Sequence, residues 1–354
     1  MKLLFVSVAL EPIQKDPLGG VGGVELNLSN IAKEMSERKH HLQIVAPTGL
    51  VDKLLPIKEV EGEFQPFLTE AQYAAPVTIP KNAVLANMWD YIRQVQGDYD
   101  LILNFSHEWL SYYLSPFFRC PVLHYVCIGA SILANDYQIE QVARLCPGTL
   151  GAHTQAQAAT FSVPEAFHIL GGAIDITQYK FCSEPEDSFA WAGRITPEKG
   201  LEDAVAAAEA TGVKLKVFGF MQNREYWEQI RQDYPNAPIE YMGFLPTQKF
   251  QSELGKCRAL LMTHKWVEAL GRVALEALAC GVPVISYHRG GPSEIVVDGK
   301  TGWLVEPDCL AELIEAMKRI DKIDRHSCRQ QAETEHSLPV LGDRLEQWFH
   351  KVLS

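Results

Sequence analysis

The chain has 354 residues, 47% of them apolar and 21% charged. That composition supports buried cores and excludes disordered and collagenous classes, and no apolar run reaches the roughly 18 residues a membrane span needs. The formal net charge is −12, with 12 basic and 18 acidic side chains in residues 1–180 and 20 and 26 in the rest. Both halves are therefore acidic, which argues against a nucleic-acid partner and against stable attachment to an anionic bilayer. The length predicts two domains.

Eight cysteines occur, with no CxxC pair and no Cys/His spacing suited to zinc. They read as reduced core thiols of a cytoplasmic protein, and no metal site is expected. The opening MKLLFVSVAL runs straight into a glycine-rich loop and a patterned helix, so it reads as a buried strand, not a targeting segment.

Short β-rich runs then alternate with helical patterns. Residues 3–8 predict a strand, 18–24 a glycine-rich loop, and Val24, Leu28, Ile31 and Met35 a helix; a strand follows at 42–46. From 51 to 80 the prolines Pro56, Pro66, Pro76 and Pro80 interrupt the pattern, which predicts a long connection. A helix follows at 84–95, a strand at 99–104, an aromatic stretch from Trp109 to Phe118, and strands at 121–126, 149–153 and 166–170. A polar break at 184–187 suggests a domain boundary within 175–187. Strands at 189–192, 214–218, 239–242, 259–262, 282–286 and 301–305 then alternate with helices at 200–210, 226–233, 247–257 and 271–279. An amphipathic helix closes the chain at 338–353. The succession predicts an α/β fold of two doubly wound parallel sheets in tandem.

Four motifs carry candidate chemistry. In Gly193-Arg194-Ile195-Thr196-Pro197-Glu198-Lys199-Gly200 a strand ends in Gly-Arg and a Lys precedes the next helix. Strand C-termini are where open α/β sheets bind ligands. Arg194 and Lys199 are therefore either phosphate ligands or cations of a solvated turn. Glu268 and Glu276 stand eight apart, the first in a loop before Gly271 and the second within an apolar helix. A buried Glu276 needs hydrogen-bond partners such as ribose hydroxyls; otherwise it is an exposed stripe. The amides near 269–272 open a helix and form a natural phosphate cradle. Arg289-Gly290-Gly291-Pro292 reads as scaffold beside a pocket. Gly19-Gly20-Val21-Gly22-Gly23 permits close backbone approach to a ligand, or is a plain turn.

Taken together, these segments and ALEALACGVPVISYHRGGPSEIVVDGKTGWLVEP resemble the GT-B glycosyltransferases, in particular the retaining glycosyltransferase family 4. The resemblance implies two Rossmann-like domains facing a central cleft: residues 1–178 binding the acceptor, 179–336 the nucleotide sugar, and 337–354 a helix packing back on the first domain. It implies a metal-independent hexosyltransferase with a UDP-sugar donor, UDP-glucose first, and no further cofactor. Arg194 and Lys199 would bind the diphosphate, Glu276 the ribose, and Glu268 the donor sugar beside the amides of Ala269, Leu270 and Gly271. Gly19 and Gly20 would approach the diphosphate, and Gly243, Phe244 and Leu245 the base. Where the family often places a His after the strand at 121–126, this chain has Cys127, which the resemblance puts with Trp109 and Tyr112 among the acceptor contacts. His124 and His107 are the alternatives for orienting the acceptor or taking its proton, unless both are scaffold.

The chain is also similar to the cyanobacterial pterin glucosyltransferases, which glucosylate tetrahydrobiopterin from UDP-glucose. The likeness rests on WDYIRQVQGDYDLILNFSHEWLSYYLSPFF and MTHKWVEALG. It implies a small pterin acceptor, with Trp109, Tyr112, Tyr113, Phe117 and Phe118 offering stacking faces unless they pack the core. Alternatives are a saccharide or lipid acceptor of cell-envelope or exopolysaccharide synthesis, a nucleotide-sugar epimerase, and a non-catalytic nucleotide-sugar binder. The sequence sets no oligomeric state.

Overall fold

Two wholly parallel sheets organise the chain. The computed structural model describes residues 1–9, 23–49, 55–65, 74 and 76–354, so Gly19 and Gly20 lie outside the described residues.

The first unit comprises Met1–Gly171 and Leu338–Ser354. Its strands are β1 (Lys2–Val6), β2 (His41–Pro47), β3 (Ile57–Val60), β4 (Leu101–Asn104), β5 (Val122–Val126), β6 (Leu150–Ala152) and β7 (Phe167–Ile169), in the order β3-β2-β1-β4-β5-β6-β7. Every residue of β4 (LILN) and β5 (VLHYV) is buried, as befits central strands covered on both faces. The helix Val84–Val95 turns Val84, Leu85, Met88, Trp89 and Ile92 inward against Leu4, Val6 and Ile102. Each large apolar side chain so buried stabilises the unit by roughly 1.5–3 kcal/mol. Trp89 is the largest, and its Nε1–H is satisfied by Ser111 Oγ at 3.0 Å; Trp89→Ala would cost about 3–5 kcal/mol.

The closing helix Leu338–Leu353 buries Leu341, Leu345, Trp348 and Phe349. It is tied to the rest of this unit by Arg38, which pairs with Glu346 at 2.7 Å and Asp343 at 2.8 Å, and by Trp348 Nε1, which donates to Gly148 O at 2.8 Å.

The second unit is Gly172–Ser337. Its strands are β8 (Ser188–Ala192), β9 (Lys214–Phe218), β10 (Ile239–Gly243), β11 (Leu260–Met262), β12 (Val284–Tyr287) and β13 (Gly302–Val305), ordered β10-β9-β8-β11-β12-β13. The division falls at Gly171/Gly172 where the sequence suggested 178/179. The reason is local: Ile174 is fully buried in the second core, and its N–H donates to His336 O at 3.0 Å.

Among the described residues of the stretch 51–80, β3 is a strand where the prolines predict a connection. β3 pairs in parallel with β2 from Ile44↔Ile57 to Pro47↔Val60. It is a half-exposed edge reading IKEV, without the apolar run or alternation that marks a strand. Helices Leu133–Leu145 and Arg325–Glu335 were likewise unanticipated. Each buries few residues, the second mainly Cys328, Gln331 and Ala332, so no apolar stripe announces it.

Both strand orders reverse direction once, between β1 and β4 and between β8 and β11. At such switch points the loops leaving the two strands part and open a crevice at the strand C-termini.

Candidate active site

In the second unit, β8 runs into Gly193-Arg194 and then the tight turn Pro197–Lys199. Gly200 closes that turn with φ +66°, and a Cβ there would lie 1.9 Å from Thr263 O. Glycine alone lets the β8 loop press against the loop leaving β11. The two are stitched together by Thr263 Oγ1 donating to Gly200 O at 2.6 Å and Lys265 N donating to Glu198 O at 2.8 Å. From the other side, Arg289 Nη1 donates to His264 O at 3.0 Å and Gly291 N to Glu268 O at 2.7 Å. The loop over residues 263–268 is thereby clamped between its neighbours.

This clamp brings Lys199 and Glu268 into direct contact. Lys199 Nζ donates to Glu268 Oε2, and each side chain is 18% exposed. Trp266 joins them: its Nε1–H donates to the same Oε2 at 3.1 Å, and the ammonium lies 4.6 Å from its ring centroid. Burial pushes the Glu268 carboxyl up, but Lys199, His264 and the Trp266 N–H outweigh it and hold the group below the usual carboxylate range. His264 is 3% exposed and is shifted downward, mainly by burial. Its Nε2 lies 2.7 Å from Arg289 O, so Nε2 carries the proton, and Nδ1 has no partner among the described residues.

Arg194 is more open: its side chain is 41% exposed, with Nη1 donating to Gln222 Oε1 at 3.1 Å and Nη2 lying 3.5 Å from Glu198. A guanidinium so placed keeps most of its donors available to an anion.

Glu268 leads through Ala269 and Leu270 to Gly271, which stands at φ +81° before the helix Arg272–Ala279. That helix start has no side-chain cap and no acidic residue in its first turn, so its positive end is uncompensated. Within it, Ala274, Leu275, Ala277, Leu278 and Ala279 are buried, while the Glu276 side chain is 14% exposed. Glu276 is not a solvated stripe: Tyr179 OH donates to its Oε1 at 3.0 Å and Arg272 Nε at 3.3 Å. Burial and the adjacent Glu276 push the Tyr179 hydroxyl well above its ordinary value, which fixes it as the donor. At the end of β10, Gly243 adopts φ +70° and accepts a hydrogen bond from Gly219 N at 2.9 Å; Phe244 beyond it is 37% exposed and Leu245 packs on the core.

In the first unit the histidines differ. His124 is fully enclosed, with Nδ1 3.0 Å from Asn104 Nδ2, Nε2 2.7 Å from Ser115 Oγ and its ring 4.7 Å from that of Tyr112. Burial lowers its pKa to about 3. With both nitrogens occupied inside β5, it is a scaffold residue, and the expectation that it assists an acceptor does not survive its geometry. His107, in the loop leaving β4, is 7% exposed, yet neither ring nitrogen has a hydrogen-bond partner among the described residues. Burial, reinforced by His153, lowers its pKa to about 4. It lines a small, partly open concavity with Tyr112, Ser131, Asn135, Asp136 and Phe161.

The aromatic stretch is divided. Tyr112 is 2% exposed and largely core; Phe118 packs edge-on against Trp89 at 5.3 Å. Trp109 stacks on Tyr113 at 4.8 Å, and Tyr113 and Phe117 are 44% and 68% exposed. The five rings therefore do not form one platform. Cys127 lies where Asn27 Nδ2 approaches its Sγ at 4.0 Å, and burial pushes its thiol well above the ordinary range, which keeps it protonated.

Sequence reasoning missed Trp266, His264 and Tyr179. Trp266 acts two residues before Glu268 in a loop, a spacing with no periodic signature, and Tyr179 reaches Glu276 from 97 residues away. All eight cysteines are free. Among the described residues no group of three or more His, Cys, Asp or Glu side chains is gathered as for a metal ion, and no helix is long and apolar enough to cross a membrane.

Residues 180–335 match the family model of the glycosyl transferases group 1. The alpha-1,3/1,6-mannosyltransferase alg-2 of Neurospora crassa is 45% identical over 86 residues, 24% of this chain and 18% of that protein. The glycogen synthase of Mycobacterium tuberculosis is 27% identical over 162 residues, 43% of this chain and 39% of that protein. The chain thus spans well under half the length of these relatives. The crystal structure of Anabaena Alr3699/HepE in complex with UDP matches 99% of this chain and 100% of its own at 19% identity, with a TM-score of 0.78. The same protein in complex with UDP-glucose gives a TM-score of 0.76 at 18% identity, with 99% and 100% covered. The chain therefore has the fold of the GT-B glycosyltransferases, two Rossmann-like parallel-sheet domains, and its residues 180–335 match the glycosyl transferases group 1 model.

Proposed function

We propose that the protein is a retaining glycosyltransferase that moves glucose, or another hexose, from a UDP-sugar to a small acceptor of the pterin class such as tetrahydrobiopterin. One observation carries the donor half. Lys199, Arg194, Glu268 and the uncapped start of helix Arg272–Ala279 belong to loops at the C-termini of β8 and β11, inside the family-matched segment. Positive charge for a diphosphate thus lies beside a carboxylate for sugar hydroxyls. Glu276, held by Tyr179 and Arg272, keeps its second oxygen for ribose hydroxyls. Gly243, Phe244 and Leu245 would lie against the base. The UDP and UDP-glucose complexes of the Anabaena protein support the choice of nucleotide.

The reaction is a front-face displacement. The bond from sugar C1 to the diphosphate oxygen breaks, and both electrons leave with UDP. Arg194, Lys199 and the helix amides stabilise the developing charge. The acceptor oxygen attacks the oxocarbenium-like C1 from the face UDP leaves, and its proton passes to a diphosphate oxygen. The anomeric configuration is retained, and cationic side chains do the neutralising without a divalent metal.

The acceptor half rests on the first unit's concavity. It combines the Tyr112 ring, the Asp136 carboxylate, the Asn135 amide and the open nitrogens of neutral His107. That set offers polar partners for one edge of an acceptor at the mouth of the concavity, and His107 orients it rather than acting as a strong base. A saccharide acceptor is the second reading, favoured by the exposed rings of Tyr113, stacked on the half-buried Trp109, and Phe117.

Mass spectrometry of products from a panel of UDP-sugars with pterins and saccharides tests both. A glycosylated pterin formed from UDP-glucose supports the proposal. Turnover with saccharides alone replaces the acceptor, and a changed UDP-sugar with no acceptor present makes the protein an epimerase.

A further inference from the structure

We infer that Trp266 is a positioning residue of the donor site: its indole N–H fixes the Glu268 carboxylate while its ring face holds the Lys199 ammonium. This rests on the donor reading above and extends it to a residue that acts through Glu268 and Lys199. Glu268 lies in a loop, so no helical turn fixes its rotamer. Two donors meet at its Oε2, Lys199 Nζ and Trp266 Nε1 at 3.1 Å. The ammonium is shared a second time, 4.6 Å from the Trp266 ring centroid. One side chain therefore contacts both members of the pair.

The consequence appears when a diphosphate arrives. Lys199 has one charge and cannot serve phosphate and Glu268 fully at once, so the ion pair must loosen. Glu268 then loses its cationic partner while sugar hydroxyls need it in a fixed orientation. The Trp266 N–H remains on Oε2 through that exchange, and the ring keeps one side of the ammonium covered. The backbone of this loop is independently clamped by Arg289, Gly291 and Gly200, so Trp266 is free of a scaffold duty there.

The test is calorimetric titration of UDP and of UDP-glucose into wild type, Trp266→Phe and Trp266→Leu. Phe keeps a ring over the ammonium and removes the N–H. It should leave UDP affinity within about twofold and weaken UDP-glucose about tenfold, the scale of one hydrogen bond to a charged group. Leu removes the ring as well and should also weaken UDP a few-fold. If the tryptophan were purely structural, Trp266→Phe would weaken both ligands by the same factor, and either that result or an unchanged Trp266→Phe overturns the inference while the donor reading stands. A wild-type protein that binds neither ligand overturns the donor reading itself.

Discussion

Lys199 and Glu268, 69 positions apart in the chain, form an ion pair shielded from solvent on most sides. Removing one partner of such a pair strands the other. With some water still reaching both groups, Lys199→Ala should lower stability by about 1–3 kcal/mol, and adding Glu268→Gln should restore part of that loss. Urea midpoints of the two single variants and the double variant measure the coupling. Additive effects would show that the pair contributes nothing beyond its members.

Glu276 offers a sharper handle on the nucleotide. If it holds ribose hydroxyls, the wild type should prefer UDP over 2′,3′-dideoxy-UDP by about tenfold or more, and Glu276→Ala should erase the preference. Equal preference in both proteins would assign Glu276 to scaffolding by Tyr179 and Arg272 alone.

Gly200 positions the Pro197–Lys199 turn through its backbone. A methyl group there meets Thr263 O at 1.9 Å in a left-handed conformation. Gly200→Ala should destabilise the second unit by more than about 3 kcal/mol, read as a drop in Tm or loss of soluble protein. An unshifted Tm would mean the two loops are less tightly apposed than described.

Acid should unfold the first unit through its histidines. Burial holds His107 and His124 neutral, with pKa values of about 4 and about 3. An unfolded chain protonates both near pH 6.5, and the folded one only well below that. Their contribution is present in full above pH 6.5 and is lost as pH falls toward 4, by at most about 1.4 kcal/mol per pH unit for each. In the second unit, the lowered Glu268 brings a loss only below about pH 4.5. Urea midpoints should therefore fall between pH 7 and pH 5, and His107→Gln should flatten that fall. An unchanged slope in the variant would contradict this.

Much of the second unit was legible because its central strands are mainly apolar runs bounded by turn residues, as in LLM at 260–262 and SFAWA before Gly193. Arg194, Lys199, Glu268 and Glu276 stood out because charged residues interrupt those patterns at strand ends or on an apolar helix. What stayed hidden depended on contacts between distant segments. β3 is a strand only because β2 lies beside it, and Tyr112 and His124 are core only because β5 and the helix Trp109–Leu114 pack together. Trp266 gained its role from a loop conformation that no periodicity encodes.

The central claim is that cations in the second unit take up the charge of a nucleoside diphosphate. The most direct measurement is calorimetric titration of UDP into wild type and into the Arg194→Ala/Lys199→Ala double variant, with folding checked by circular dichroism. The account predicts saturable binding by the wild type and at least about a hundredfold loss in the double variant, since each cation contributes charge-assisted hydrogen bonds. Equal affinity in the two proteins would contradict it.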